Sequence, residues 1–181
     1  AFGKQHNFEE LLQSDAMASD FQEAVQAGDY LRMLPWWSRC RMGEEDVSWP
    51  GKIEHYAVSS GTSDGSSKYI PVSKQMLRAI RMASLRQIVA ISQTDVPKDH
   101  MAKNWLMIGG STALEYNGMY YAGDLSGITT GKVPIPFQRI SKPDPIIRSE
   151  KDWQQKIAKI TDSMMIIFIQ NRKIILTLVK N

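Results

Sequence analysis

The sequence predicts a mixed α/β fold, and three features in it do so. Two short apolar runs, Tyr56-Ala57-Val58 and Lys68-Tyr69-Ile70, flank a stretch from Ser59 to Ser67 with no apolar side chain, the pattern of strand, loop, strand. Beyond it the spacing changes to threes and fours, through Leu77, Ile80, Ser84, Ile88 and Ile91, which is the period of a helix. The same period returns at Trp153, Ile157, Ile160 and Met164. With 43% hydrophobic and 23% charged residues, a chain of 181 residues has the composition of one globular domain or at most two.

Taken in order, Phe8, Leu11, Leu12, Phe21 and Val25 keep roughly helical spacing with a break from Ser14 to Ser19, so one or two helices open the chain. Asp29 is placed to cap a short helix through Leu34. Pro35 either ends that helix or sits in the first turn of the next, which carries Trp36, Trp37 and Cys40. Trp49-Pro50-Gly51 punctuates the chain before the first strand, and Pro71 stops the second. Ser73 then caps a long helix to about Gln93, with Arg78, Arg81 and Arg86 mostly off its apolar stripe. Trp105 to Ile108 reads as a buried strand ending in a tight Gly109-Gly110 turn. Tyr116 to Pro145, rich in glycine and proline, reads as loops with brief strands or helical turns. Ser149-Glu150-Lys151-Asp152 has the form of a capping box before the last periodic helix. From Ile166 on, two apolar runs around Gln170-Asn171-Arg172-Lys173 suit a hairpin or one amphipathic strand.

Composition excludes more than it assigns. With 22 Lys+Arg against 19 Asp+Glu the net charge is +3, mildly basic and without the dense clusters of a nucleic-acid binder, so no nucleic-acid partner is expected. A single cysteine, Cys40, excludes an internal disulfide framework. His6, His55 and His100 have no paired ligand spacing, so no metal site is expected. No segment has the form of a secretion signal or the length of a membrane span, which makes the cytoplasm the expected setting, with no membrane contact. Trp36, Trp37, Trp49 and Trp105 read as core or subunit contacts, His55 as a structural or surface residue, Cys40 as inert, and Asp124 as a turn former.

The serine-rich stretch is where the chemistry lies. A strand that runs into small, hydroxyl-bearing and glycine residues turns several backbone N–H groups into one concavity, and such nests bind phosphate oxygens. Gly61 and Gly65 permit the positive φ that the concavity needs. Ser59, Ser60, Thr62 and Ser63 add hydroxyl donors, and Lys68 brings a positive charge. The spacing is not that of a Walker A loop, because three residues rather than four separate the glycines and Lys68 precedes Tyr69 instead of serine or threonine. It is not a dinucleotide fingerprint either, since the glycine spacing fails and no helix opens at the loop.

Ser59-Ser60-Gly61-Thr62-Ser63-Asp64-Gly65, with Lys68 after it, resembles the phosphate-binding motif of adenylate-forming enzymes, Ser/Thr-Ser-Gly-Thr-Thr/Ser-x-Gly followed shortly by lysine. Within that superfamily the chain resembles the auxin-responsive-promoter (Gretchen Hagen) family of acyl-acid amido synthetases. The likeness is carried by Lys68-Tyr69-Ile70-Pro71, Asp46-Val47-Ser48-Trp49-Pro50-Gly51 and Gly123-Asp124-Leu125-Ser126-Gly127-Ile128, and Phe2-Gly3-Lys4 and the Asp152-Trp153 helix fit it too. It covers about residues 2 to 163.

The resemblance implies the N-terminal part of an adenylate-forming large domain over residues 1–163, with 164–181 an atypical apolar tail left by truncation or a shifted frame. It implies a two-step ligase in which ATP, carrying magnesium, activates a small carboxylic acid as an acyl-adenylate, and the amine of an amino acid then takes the acyl group. Ser59, Ser60, Gly61, Thr62, Ser63, Gly65 and Lys68 would hold the ATP phosphates, and Arg86 the acid's carboxylate; no residue is assigned a covalent role. The family's adenine-binding motif ending in Ser-Glu, its Tyr-Arg-x-Gly-Asp ribose motif and the lysine of its C-terminal domain have no counterpart in these 181 residues. The expectation is a truncated ligase chain. The alternative is an inactive or weakly nucleotide-binding fragment with a binding or regulatory role or none, and self-association through surface left exposed by truncation is a further expectation.

Overall fold

A computed structural model describes residues 1–6, 8–13, 15, 17–25, 27–59, 67–95, 97, 104–133 and 135–163. Helices and short strands are mixed along it, as the sequence predicts. Two compact units divide the chain: Ala1–Ala83 with Glu115–Ala122, and Ser84–Leu114 with Gly123–Asn181.

The first unit opens with α1 (Phe2–Gln5), α2 (Phe8–Gln13) and α3 (Ala18–Ala24), then α4 (Tyr30–Arg41). Asp29 caps α4, its Oδ1 accepting the N–H of Arg32 at 2.9 Å. Pro35 neither ends this helix nor starts another; it lies inside α4. Proline removes one helix hydrogen bond, and α4 continues through it because Trp36 and Cys40, just beyond, pack into the core.

That core joins Cys40, Val47, Ile53, Tyr56, Tyr120 and Ala122, with Trp36, Val58 and Tyr69 against it. Trp49, read as a core or subunit contact, is 47% exposed. The sheet behind the core has the order β2-β1-β5-β4, from β1 (His55–Ser59), β2 (Lys68–Val72), β4 (Glu115–Tyr116) and β5 (Tyr121–Gly123). β1 and β2 are antiparallel, in register from His55 opposite Val72 to Ser59 opposite Lys68.

Pro71 does not stop β2, which runs on to Val72. β2 is an edge strand, and the Tyr69 N–H leaves it on the open side to donate to Tyr30 Oη at 3.2 Å. Backbone nitrogens two residues apart face the same side, so Pro71 also faces outward and no ladder bond is lost.

Ser73 caps α5 (Lys74–Ser92), its Oγ accepting the N–H of Met76 at 3.0 Å. No residue of α5 is fully buried: Leu77, Ile80 and Ile88 are half-buried, whereas Ser84 and Ile91 are exposed. The predicted stripe thus has the right period and is only partly covered. Arg78, Arg81 and Arg86 are exposed.

In the second unit β3 (Trp105–Leu106) runs parallel to β6 (Ser141–Lys142). The buried strand expected over Trp105 to Ile108 is two residues long, and Leu106 and Ile108 are 44% and 51% exposed. One short partner strand covers too little of it. The other elements are α6 (Leu125–Thr130), α7 (Ile135–Ile140), α8 (Pro145–Arg148) and α9 over residues 153–163.

Asp124 occupies the N-cap position of α6 without a side-chain cap bond. The Gly-Asp-Leu-Ser-Gly turn is fixed instead by close packing. A Cβ on Gly127 would overlap the Ser111 carbonyl oxygen, and the Gly110 N–H donates to Ser126 Oγ at 2.8 Å.

The capping box read at Ser149 does not form. Asp152 is itself the cap of α9, its Oδ1 accepting the N–H of Gln155 at 2.8 Å, and Ser149 ends α8. The buried face of α9 differs correspondingly: Lys156 and Ile160 are inside, while Trp153 and Ile157 are 54% and 38% exposed. Met164 and the segment after it lie outside the described residues. Among the described residues no helix is long and apolar enough to cross a membrane.

Candidate functional site

β1 delivers the chain to the serine-rich stretch at Ser59, and β2 takes it up at Lys68. These two residues are cross-strand partners, so the end of β1 and the start of β2 lie side by side. Ser59 is the exposed last residue of β1, not part of the loop, and Lys68 is half-buried. Ser60, Gly61, Thr62, Ser63 and Gly65 lie outside the described residues. Of the residues singled out in the sequence, the structure therefore brings Ser59 and Lys68 together. Arg86, exposed on α5, belongs to the second unit.

Lys68 is positioned by the first turn of α4. Its ammonium lies 5.6 Å from the ring centroid of Tyr30, a cation–π distance. Tyr30 is the first residue of a helix fixed by the Asp29 cap, its ring meets Trp37 at 5.7 Å, and its hydroxyl takes the N–H of Tyr69. A second cation lies on the neighbouring residue of β2, whose side chain takes the other face of the strand: the Arg41 guanidinium lies 4.1 Å over the Tyr69 ring and donates from Nε and Nη2 to Tyr120 Oη at 3.2 and 3.1 Å. Neither Lys68 nor Arg41 is ion-paired to a carboxylate among the described residues.

The contacts of Tyr30 and Arg41 leave no pattern in the sequence. Only the Asp29 cap, which sets where α4 begins, pointed toward Tyr30. Nothing in the order of residues shows that Arg41 stacks on a side chain from β2.

Three other groups of this unit, His55, Cys40 and Tyr56, are buried. His55 is buried and stacks on Tyr121 with centroids 5.5 Å apart. Cys40 sits in the core with Sγ 3.4 Å from Ser48 Oγ. The Tyr56 hydroxyl is buried without a partner, and burial, reinforced by Cys40 and Tyr120 and opposed by Arg41, pushes its pKa well above the ordinary phenol value. Among the described residues no three His, Cys, Asp or Glu side chains gather to hold a metal ion.

A lysine and a hydroxyl at the mouth of a hairpin can position a polyphosphate and offset its charge without a covalent step. The chain matches the model of the GH3 family N-terminal domain over residues 1–175. No curated protein matches it.

Proposed function

The chain belongs to the GH3 family of acyl-acid amido synthetases, and from this we propose that residues 59–68 hold the phosphates of magnesium–ATP during activation of a carboxylic acid. In the reaction a carboxylate oxygen of the acid attacks the α-phosphorus of ATP and pyrophosphate leaves. The amine of an amino acid then attacks the acyl carbon, releasing AMP and forming the amide. The role assigned to these residues is orientation and charge compensation. Magnesium enters with ATP as substrate.

The register that sets Lys68 opposite Ser59 carries the assignment. Ser59 and Lys68 flank Ser60, Gly61, Thr62, Ser63 and Gly65 in the sequence, and their pairing supports assigning the set to one polyphosphate. Arg86 is proposed for the acid's carboxylate, on the support of its place in the helix that follows the loop.

Titration of the whole chain with magnesium–ATP, read at the backbone amides of Ser59, Lys68 and Tyr69, tests the reading. Saturable shifts are expected there, with binding about tenfold weaker in Lys68→Ala, the effect of one lost charge-assisted hydrogen bond. Stationary amides at millimolar nucleotide in a folded protein sink it. Acid-dependent exchange of pyrophosphate into ATP then reads turnover. Binding without turnover is a second reading. It is chosen if the amides move and no acid supports exchange.

A further inference from the structure

We propose that the second unit contains an oxyanion site, formed by Arg148 and Lys156 at the Gly109-Gly110 turn, that takes one oxygen of a carboxylate or phosphate group. It lies apart from the nucleotide loop in the sequence and does not depend on the reading of that loop.

Arg148 and Lys156 are only 7% and 2% exposed. Charged residues of this kind are almost never so buried unless paired, yet neither is ion-paired among the described residues. Arg148 Nε has no hydrogen-bond partner. Lys156 Nζ donates to the Gly109 carbonyl at 3.1 Å, one bond of the three that an ammonium can make. Two cations with unused donors have been taken out of water, which is strongly unfavourable until a counter-charge arrives.

Both line one hollow, together with Gly109, Gly110, Thr130 and Pro143. Its inner space is about 10 Å³, within a hollow of about 220 Å³ that includes open solvent. The inner space suits one water-sized atom, so a ligand inserts a single oxygen and keeps its remainder outside. Planar carboxylates and tetrahedral phosphates both offer such an oxygen, and Arg148 Nε–H is the unused donor for it.

Among the described residues no carboxylate is ion-paired to either cation, although that of Asp124 packs on Gly110. Asp124 and Glu150 act on Lys156 only through space, and Glu150 is engaged by Lys159 at 2.5 Å. Burial holds the Lys156 ammonium below its ordinary pKa. A bound anion would reverse that shift. A water molecule would satisfy Nε but bring no charge of its own.

The experiment uses the whole chain with inorganic phosphate and, separately, acetate, against sodium chloride at matched ionic strength. The Arg148 Nε–H resonance, assigned by its loss in Arg148→Gln, is followed with the Gly109 and Gly110 amides. A saturable displacement by phosphate or acetate that chloride does not reproduce is expected, with binding about tenfold weaker in Lys156→Gln. The Lys156 titration should also move upward in the presence of the anion. Response to phosphate alone or to acetate alone identifies which source of the oxygen fits. Stationary resonances with both anions, or equal movement with chloride, overturn the site. If Lys156→Gln does not fold, the wild-type displacement decides.

Discussion

Tyr56 has no exposed surface, and its hydroxyl has no partner. Removing a buried unsatisfied polar group while keeping the ring should help, so Tyr56→Phe is expected to raise stability by about 1 kcal/mol in urea unfolding at neutral pH. Its pKa adds a pH dependence. The folded pKa is raised by burial, so the contribution is complete below the unfolded value of about 10 and is lost as pH climbs above it, a fall that the phenylalanine variant should not show. Lys156 acts in the opposite sense. Its folded pKa is lowered by burial, so between that value and the unfolded one of about 10.4 the unfolded chain binds more protons and stability rises with pH. Lys156→Met should abolish the rise, checked by the same unfolding series on the alkaline side. Glycines give a third contrast. Gly127→Ala forces a Cβ onto the Ser111 carbonyl and should cost about 1–3 kcal/mol or prevent folding. Gly51→Ala, with φ at +79° and open space around it, should lose only about 1 kcal/mol to backbone strain. The Gly-Asp-Leu-Ser-Gly string is legible in the sequence, but the reason for Gly127 is not, because its contact comes from Ser111, in a separate segment.

At the scale of elements, what was legible is what local chemistry decides. Asp29 and Ser73 cap their helices from the adjacent residue, so both starts could be read directly. Ser73→Ala should therefore cost about 1 kcal/mol, measured by chemical unfolding, with part of the helical circular-dichroism signal lost from a helix of 19 residues. The misreadings share the opposite property. Pro35 stays inside α4 because residues after it pack on a distant strand, and Pro71 stays inside β2 because that strand lies at the sheet edge. Neither fact has a local trace. The phase of α9 was missed for a related reason. An apolar count takes lysine as solvent-facing, whereas Lys156 is buried and donates to the Gly109 carbonyl.

At the scale of the molecule, the class of fold and the position of the hairpin were readable, because a strand, a loop without apolar side chains and a second strand leave few alternatives. The division into units was not. Glu115–Ala122 belongs to the first unit although the segments on both sides of it belong to the second. It is recruited by long-range pairing, in which the Tyr121 N–H donates to the Glu54 carbonyl at 2.8 Å. This interleaving gives the two proposed sites separate readouts. A ligand that binds only the folded form at ten times its dissociation constant slows exchange through local unfolding by about tenfold. Magnesium–ATP should slow amide exchange in β1 and β2, and inorganic phosphate in Gly109, Gly110 and α9. Hydrogen-exchange mass spectrometry can follow both in one chain. Lys68→Ala should cut the first protection to about twofold and keep the second, and Arg148→Gln should weaken the second and keep the first. If phosphate slows β1 and β2 but not α9, the oxyanion assignment fails and the hairpin alone holds the anion. If magnesium–ATP leaves β1 and β2 unprotected while phosphate protects α9, the nucleotide loop fails and the second site stands.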